Sequence, residues 1–530
     1  MTVDMEKNRY VFDPLYKVIY LPTFIWDILS TPEIQRLREV RLCNINSYSL
    51  TGCANISRYE HAIGTLYLAQ QCLESWPPLI GLPSKSDQKL FLLAALLHDI
   101  VSAPFGHSIE YIEHKDGFQH EADFEYVITG EITKQQYSYQ LASQSPIFFG
   151  LQRKLLNKIR DDLKLNTDDI KKIGQFIRGQ GDLGPLISGI IDLDNIDNVY
   201  RMAYHIGLVE SGRTPVALAQ SMYVLKNKLI VKKDYLSLVE EWHLIRKKLY
   251  KFLLLNPEEF SAKCMLTEAI ELNKKFSSNE RIVWNSTDYE LLMELHKNKQ
   301  KLDVQRENPN ALPVQEIIER LVTGNLYGCV CIISTKNLDA YQKFIDFPSK
   351  CKMEDEINEK ISPESSLVID NFSKDEQKTI QGIKGIYYFD DTKKVKITVD
   401  LNEKTKNNLV SAALKEHRYE IENAFISMKE RHKRFKIKNP RIALHPILDD
   451  NKTERQLKIQ LDDQTEVTIG KKSQELLIGV FLRNSDWNMY KIDKMKKNSP
   501  IIQEICFYFA QQLNDPSIKI IEKYGEKKYV

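Results

Sequence analysis

Leu90-Phe91-Leu92-Leu93-Ala94-Ala95-Leu96-Leu97-His98-Asp99 decides the reading of this chain. An unbroken apolar run delivers an imidazole and a carboxylate side by side. Leu90 to Leu97 is too rich in Ala and Leu for a solvated face and too short to span a membrane. It therefore predicts a buried helix that holds His98 and Asp99 rigidly. Ala103-Pro104-Phe105-Gly106 follows and ends the helix, because proline removes a backbone donor and glycine relaxes φ.

A lone His-Asp dipeptide carries little information, and its neighbours give it meaning. Upstream, Arg58-Tyr59-Glu60-His61 opens a second helical pattern with Ala62, Ile63, Leu66 and Ala69. Downstream, Ile190 to Asn198 is a third helix, with Asp192, Asp194 and Asp197 set among Ile and Leu. A carboxylate buried among apolar residues is unfavourable unless a cation or donor compensates it. His61, His98, Asp99 and Asp194 together supply two imidazoles and two carboxylates, with Asp192 competing for the last place. Such a set suits Mn, Mg, Fe, Co or Ni better than a thiolate-rich zinc site does, and leaves positions open for water or a phosphate oxygen.

The order His61, His98-Asp99, Asp194 resembles the metal motif of the HD-domain phosphohydrolases. The flanking segments Asp13-Pro14-Leu15-Tyr16, Thr31 to Arg38, Arg58 to His61 and His98 to His107 resemble its deoxynucleoside triphosphate triphosphohydrolase branch. That branch includes bacterial dGTPases and the SAM-and-HD-domain dNTPases of animals, and the similarity covers about residues 10 to 345. It implies an all-helical HD-domain core, a divalent metal on the four residues just named, and Asp194 rather than Asp192 as the last ligand. His107 and Glu110 would be catalytic, because His98 to Glu110 fits the bacterial spacing His-Asp-x-x-x-x-Pro-Phe-Gly-His-x-x-Glu, and so would His120, which with Glu121 resembles the family's second His-Glu pair. Arg58 and Glu121 would face the phosphates; the competing role for Arg58 is a salt bridge to Glu60 or another acid. The sequence departs from the animal pattern at Cys43, where an amide reads the sugar, at Ser102, where a histidine stands, and at Asn195, Asn198 and Met202.

With 530 residues the chain exceeds one hydrophobic core. It divides into an HD-domain core at 1–255, a helical lobe at 256–345 and a C-terminal α+β region at 346–530. A net charge of +2, from 74 basic and 72 acidic residues, excludes a global field that steers nucleic acid. The eight cysteines lack disulfide or zinc spacing and read as reduced thiols. The N-terminus shows no signal sequence and no stretch reaches the length of a membrane span, so a cytoplasmic protein is expected.

Ser30-Thr31-Pro32-Glu33 predicts a hydroxyl-capped helix carrying Arg36, Arg38 and Arg41, and Pro185 reads as the start of the Asp194 helix. His205 reads as a packed or capping residue. A helical pattern runs from Leu229 to Phe260, where Arg246 and Lys247 are candidates for triphosphate contact beside the plainer role of a wet helix face. Leu326 to Ser334 reads as a strand, and residues 346–372 as a charged, turn-rich boundary. Beyond it the period becomes two: Val395, Ile397, Val399 and Leu401 alternate after Asp390-Asp391. Leu457, Ile459 and Leu461 pair with Val467 and Ile469. Leu409 to Lys429 reads as an amphipathic helix, followed by a basic run to Arg441 that suits nucleic acid or, more simply, a solvated face.

These features point to a mainly α protein with a C-terminal α+β region that acts as a metal-dependent phosphohydrolase. Its expected substrate is a nucleotide, by resemblance a deoxynucleoside triphosphate cleaved to deoxynucleoside and triphosphate. A phosphodiesterase acting on cyclic or oligonucleotides, and a nucleotide- or nucleic-acid-sensing HD module without turnover, stand as alternatives. The resemblance also implies a homo-oligomer and allows a regulatory nucleotide.

Overall fold

Two hydroxyl caps start the helices that matter most. Helix α1 (Arg58–Glu74) begins where Ser57 accepts the Glu60 N–H, and α2 (Lys85–Leu97) where Ser84 accepts that of Asp87. Each cap satisfies a donor that has no partner within the helix. From Leu90 to Leu97 every residue of α2 is buried, so it runs through the middle of the core and ends at His98. In this computed structural model the described residues are 9–43, 52, 55–106, 124–129, 154–276, 286–297, 311–361, 386–389, 394–397, 441–450, 452, 454–483 and 500–521.

Helix α3 (Leu193–His205) packs against α1, and Gly64 makes that approach possible. A Cβ there would lie 2.0 Å from Asp197 Oδ1 and 2.1 Å from Arg201 Nη2. Helix α4 (Leu236–Leu255) covers α3, and α5 (Pro257–Phe276) continues into the lobe. Helix α6 (Phe347–Ile361) lies where the sequence read a turn-rich boundary. Its buried Lys350, Glu354, Ile357 and Ile361 recur at three- to four-residue steps, a helical stripe hidden by the surrounding charge.

Strands β1 (Tyr10–Asp13) and β2 (Lys17–Tyr20) form an N-terminal hairpin. Strands β3 (Met222–Leu225) and β4 (Lys228–Val231) form another, correcting the all-helical reading that began at Leu229. Lys226 and Asn227 both have positive φ, +52° and +59°, as a two-residue hairpin turn requires. Strand β5 (Gly328–Thr335) is wholly buried. Strands β6 (Ile386–Phe389) and β7 (Lys394–Ile397) pair antiparallel, with Phe389 opposite Lys394. The remaining strands are β8 (Ile442–Asp450), β9 (Leu457–Leu461), β10 (Glu466–Ile469), β11 (Gln474–Leu482) and β12 (Lys519–Ile521).

Two four-stranded sheets join distant parts of the chain. The first has the order β10-β9-β4-β3: the expected β9–β10 hairpin, with Val467 opposite Ile459, adds to β4 in parallel through Val231 and Leu461. The second, β12-β5-β11-β8, places β5 between C-terminal strands. Its β8 edge is closed by α6, where Asn358 Oδ1 and Glu354 Oε1 accept the Ile442 and Leu444 N–H groups at 2.7 and 2.9 Å. Buried Arg483 ties β11 to α5 and α6 through Glu268 and Glu354. The architecture is thus a helical core with a C-terminal α+β region, as expected.

Smaller expectations shift. Thr31 precedes the short helix Pro32–Arg36, but its hydroxyl donates back to the Ile28 carbonyl and caps nothing. Pro185 sits in a 3-10 turn, and the Asp194 helix starts eight residues later behind Asp192. The expected helix at 409–429 and the basic run before Arg441 lie outside the described residues. Among the described residues the cysteines are all free, and no helix is long and apolar enough to cross a membrane.

Candidate metal centre

The C-terminal end of α2 and the first turn of α3 meet the first turn of α1 at one point. His61 Nε2 lies 3.1 Å from His98 Nε2 and 2.8 Å from Asp194 Oδ1, with 3.5 Å between His98 Nε2 and Asp194 Oδ1. The ligand atoms of these three residues all fall within 4.8 Å of one another, close enough to hold one metal ion. Asp99 Oδ2 faces the same point, 3.6 Å from His98 Nε2 and 3.9 Å from His61 Nε2. His61, His98 and Asp99 are buried, whereas the Asp194 side chain keeps 31% of its exposure, so the centre opens on that side.

The hydrogen bonds behind the two imidazoles test whether this donor set fits a cation. His98 Nδ1 sits 2.9 Å from the Ala95 carbonyl, which only accepts, so Nδ1 carries the proton. His61 Nδ1 lies 2.7 Å from Asp197 Oδ2 and is protonated by the same logic. In the neutral rings both Nε2 lone pairs then point at each other and at a carboxylate oxygen. That arrangement is repulsive unless positive charge lies between them, and it fits a divalent cation. Without one a proton takes the place. Burial opposes charging His61, but hydrogen bonds to Asp194 and Asp197 raise its pKa to about 10. His98 is raised likewise, against burial, by Asp99 and Asp194, and the two imidazoles hold Asp194 below the carboxylate range against its partial desolvation.

Three of the four residues, His61, His98 and Asp99, are braced from behind. Asp99 Oδ1 accepts from Arg58 Nη1 at 2.5 Å and Ser102 Oγ at 2.8 Å, which turns Oδ2 toward the imidazoles. Arg58 therefore takes the salt-bridge role, with Asp99 as the acid. Arg36, expected on a basic face, is buried and donates to the carbonyls of Ile100, Ser102 and Ser286, fixing the turn after Asp99. Asp288 accepts the Phe105 and Arg41 N–H groups, anchoring Phe105 at a φ of +53°; burial raises its pKa to about 6.

Behind His61, Asp197 is held by Arg201 through Nε and Nη2, both at 2.9 Å. Arg201 also donates to Asp13 at 2.8 Å and Glu60 at 2.7 Å, and Glu60 lies 3.2 Å from His205 Nε2. Three carboxylates around one buried guanidinium offset its desolvation. The sequence paired Asp197 with Arg201 but missed its contact with His61. The signal was present: Asp197 follows Asp194 by three residues and so shares its helix face. Asp192, the competitor for the metal, instead caps α3 through the Asn195 N–H, and burial with the Asp194 charge raises its pKa to about 6.

Arg246 and Lys247 are engaged elsewhere. Arg246 Nη1 donates to the Lys452 carbonyl at 2.8 Å and lies over the Tyr250 ring, while Lys247 pairs with Glu454. His107, Glu110, His120 and Glu121 lie outside the described residues.

Residues 58–169 match the family model for the HD domain, so the chain carries that domain across α1, α2 and the His98-Asp99 pair. The chain is 26% identical to the uncharacterized protein YwfO of Bacillus subtilis, over 51% of this chain and 57% of that protein. It is 24% identical to the uncharacterized protein MJ1154 of Methanocaldococcus jannaschii, over 64% and 62%. The chain thus spans about three fifths of the length of these relatives. It is also 25% identical to the deoxynucleoside triphosphate triphosphohydrolase SAMHD1 homolog of Dictyostelium discoideum, over 38% of this chain and 37% of that one.

Proposed function

We propose that this HD-domain chain is a metal-dependent phosphohydrolase that converts deoxynucleoside triphosphates to deoxynucleoside and triphosphate. The observation that carries the proposal is the convergence of two imidazole lone pairs and the Asp194 carboxylate, with Asp99 facing them, at one half-open point. The deoxynucleotide substrate is supported by the likeness to the Dictyostelium protein named for that reaction and by the motif order along the chain. His61, His98, Asp99 and Asp194 would hold the divalent ion. When bound, such an ion neutralises phosphate charge and makes water a better nucleophile at neutral pH.

The chain's own residues do the rest. Asp197 and the Ala95 carbonyl fix the imidazole tautomers, so both Nε2 lone pairs would be free to hold the ion. Arg58 and Ser102 orient Asp99, and the exposed side of Asp194 leaves the approach for the phosphates. Proton handling falls in this proposal to His107 or Glu110, whose spacing from His98 fits the family pattern, or to His120 of the second His-Glu pair.

The test is turnover of the four dNTPs, the rNTPs, and cyclic and oligonucleotide substrates with Mn or Mg, with products separated by chromatography and Asp99→Ala and Asp194→Ala alongside. Triphosphate and deoxynucleoside, absent from both variants, are expected. Nucleoside monophosphates from cyclic or oligonucleotide substrates would replace this reaction with a phosphodiesterase. No turnover by protein with bound metal would leave a sensor.

A further inference from the structure

Asp194 differs from the other three residues of the centre. His61, His98 and Asp99 each have a partner directly behind them, whereas among the described residues Asp194 meets only the two imidazoles. Its position is therefore set by the backbone of the first turn of α3. That turn is held by Asp192, which accepts the Asn195 N–H at 2.7 Å and the Gly189 N–H at 2.8 Å. Gly189 is hemmed in, since a Cβ there would lie 2.6 Å from the Pro185 carbonyl oxygen.

The Gly189 carbonyl is gripped from far along the chain. Arg455 Nη2 donates to it at 3.1 Å across 266 residues. Arg455 belongs to the connection that leads into β9, and this connection is fastened to α4. Its own carbonyl lies 2.8 Å from His243 Nε2, and its neighbour Glu454 pairs with Lys247. Gly470, at a φ of +79°, permits the fastening, because a Cβ would lie 2.4 Å from both the Arg455 carbonyl oxygen and His243 Nε2. From α4, Trp242 Nε1 also reaches the Asn195 carbonyl at 3.4 Å. A path of hydrogen bonds thus runs from Arg455, two residues before β9, to the turn that carries Asp194.

We propose that Arg455 is a positioning residue for the metal centre: by holding the Gly189 carbonyl it seats Asp194, so that docking of the β9–β10 hairpin sets the affinity for a divalent cation. The proposal rests on His61, His98, Asp99 and Asp194 being that centre. A residue bonded directly to a metal ligand typically changes affinity 10–100-fold; Arg455 acts through two intervening residues, so about three- to tenfold is expected. Linkage makes the effect reciprocal, and bound metal must protect the hairpin.

The experiment is Mn titration of the full chain by electron paramagnetic resonance, for the wild type, Arg455→Ala, Arg455→Lys, Gly470→Ala and Asp194→Ala. Hydrogen exchange of the β9 and β10 amides is followed with and without Mn. Arg455→Ala is expected to weaken Mn binding about three- to tenfold, and Arg455→Lys to recover part of that loss. Gly470→Ala, which displaces the Arg455 carbonyl but keeps the guanidinium, should weaken binding as well. Mn should slow hairpin exchange in the wild type and not in Arg455→Ala, a coupling that a merely structural role would not produce. Arg455→Ala and Gly470→Ala with wild-type Mn affinity, while Asp194→Ala loses Mn, would overturn the positioning role alone. Wild-type affinity in Asp194→Ala would overturn the metal centre itself.

Discussion

Replacing Asp197 by Asn separates the bracing of the centre from its ligands. The change is nearly isosteric, but Asp197 accepts three short hydrogen bonds: 2.7 Å from His61 Nδ1, and 2.9 Å each from Arg201 Nε and Nη2. An amide offers one acceptor oxygen and turns two donors toward groups that also donate. Loss of a carboxylate behind a metal-binding imidazole lowers affinity about 10–100-fold, which is about 1.4–2.7 kcal/mol. Folding should suffer separately. Breaking a buried ion pair from one side costs about 3–5 kcal/mol, here toward the low end because Arg201 keeps Asp13 and Glu60. The assays are Mn titration of chelator-stripped protein and urea unfolding in EDTA. Because Asp197 also strengthens His61's hold on a competing proton, the loss of Mn affinity should be smaller at pH 6 than at pH 8.5. A folded Asp197→Asn protein that binds Mn within a factor of two of wild type at pH 8.5 would refute the bracing role.

Metal binding by the wild type should strengthen with pH. The metal-free His61 pKa is raised to about 10, so its proton favours folding below the ordinary histidine range, and that contribution disappears as pH rises through about 10. Metal must displace this proton, which gives up to about tenfold in affinity per pH unit across neutral pH; calorimetry in two buffers of different ionisation heat counts the proton, and a flat profile contradicts its displacement. Arg36→Met should destabilise the fold by about 3 kcal/mol, because the carbonyls of Ile100, Ser102 and Ser286 lose a buried charged donor. Urea unfolding measures it, and a change below about 0.5 kcal/mol would show that water replaces the guanidinium.

The residues that converge at the candidate centre were legible because each stands where an apolar helix pattern begins or ends: His98 and Asp99 after Leu97, Asp194 behind Asp192. A local signal of that kind survives in one sequence. Arg36 and Arg58 were harder, since an arginine on a helix reads as solvated until its distant acceptors are known. Arg36 reaches Ser286, 250 residues away. The parallel pairing of β4 with β9 and the seating of β5 between C-terminal strands leave no periodic trace. The β3–β4 hairpin was legible in principle through Lys226-Asn227, but the helical pattern that follows masked it. The α6 stripe was hidden because its inner face carries Lys350 and Glu354, charges that are neutralised by Glu271 and Arg483 in the folded chain.

The Arg455–Gly189 bond also orders events in time. Chains are synthesised from the N-terminus at about 5–20 residues per second. Arg455 follows Asp194 by 261 positions, so roughly 13–50 s separate Asp194 from the residue that holds the Gly189 carbonyl. Through that interval β4 has no β9 beside it, and the nascent core presents a bare strand edge next to a centre whose ligands are already present. Under the proposed positioning role of Arg455, completion of the candidate centre waits on translation of the far end of the chain.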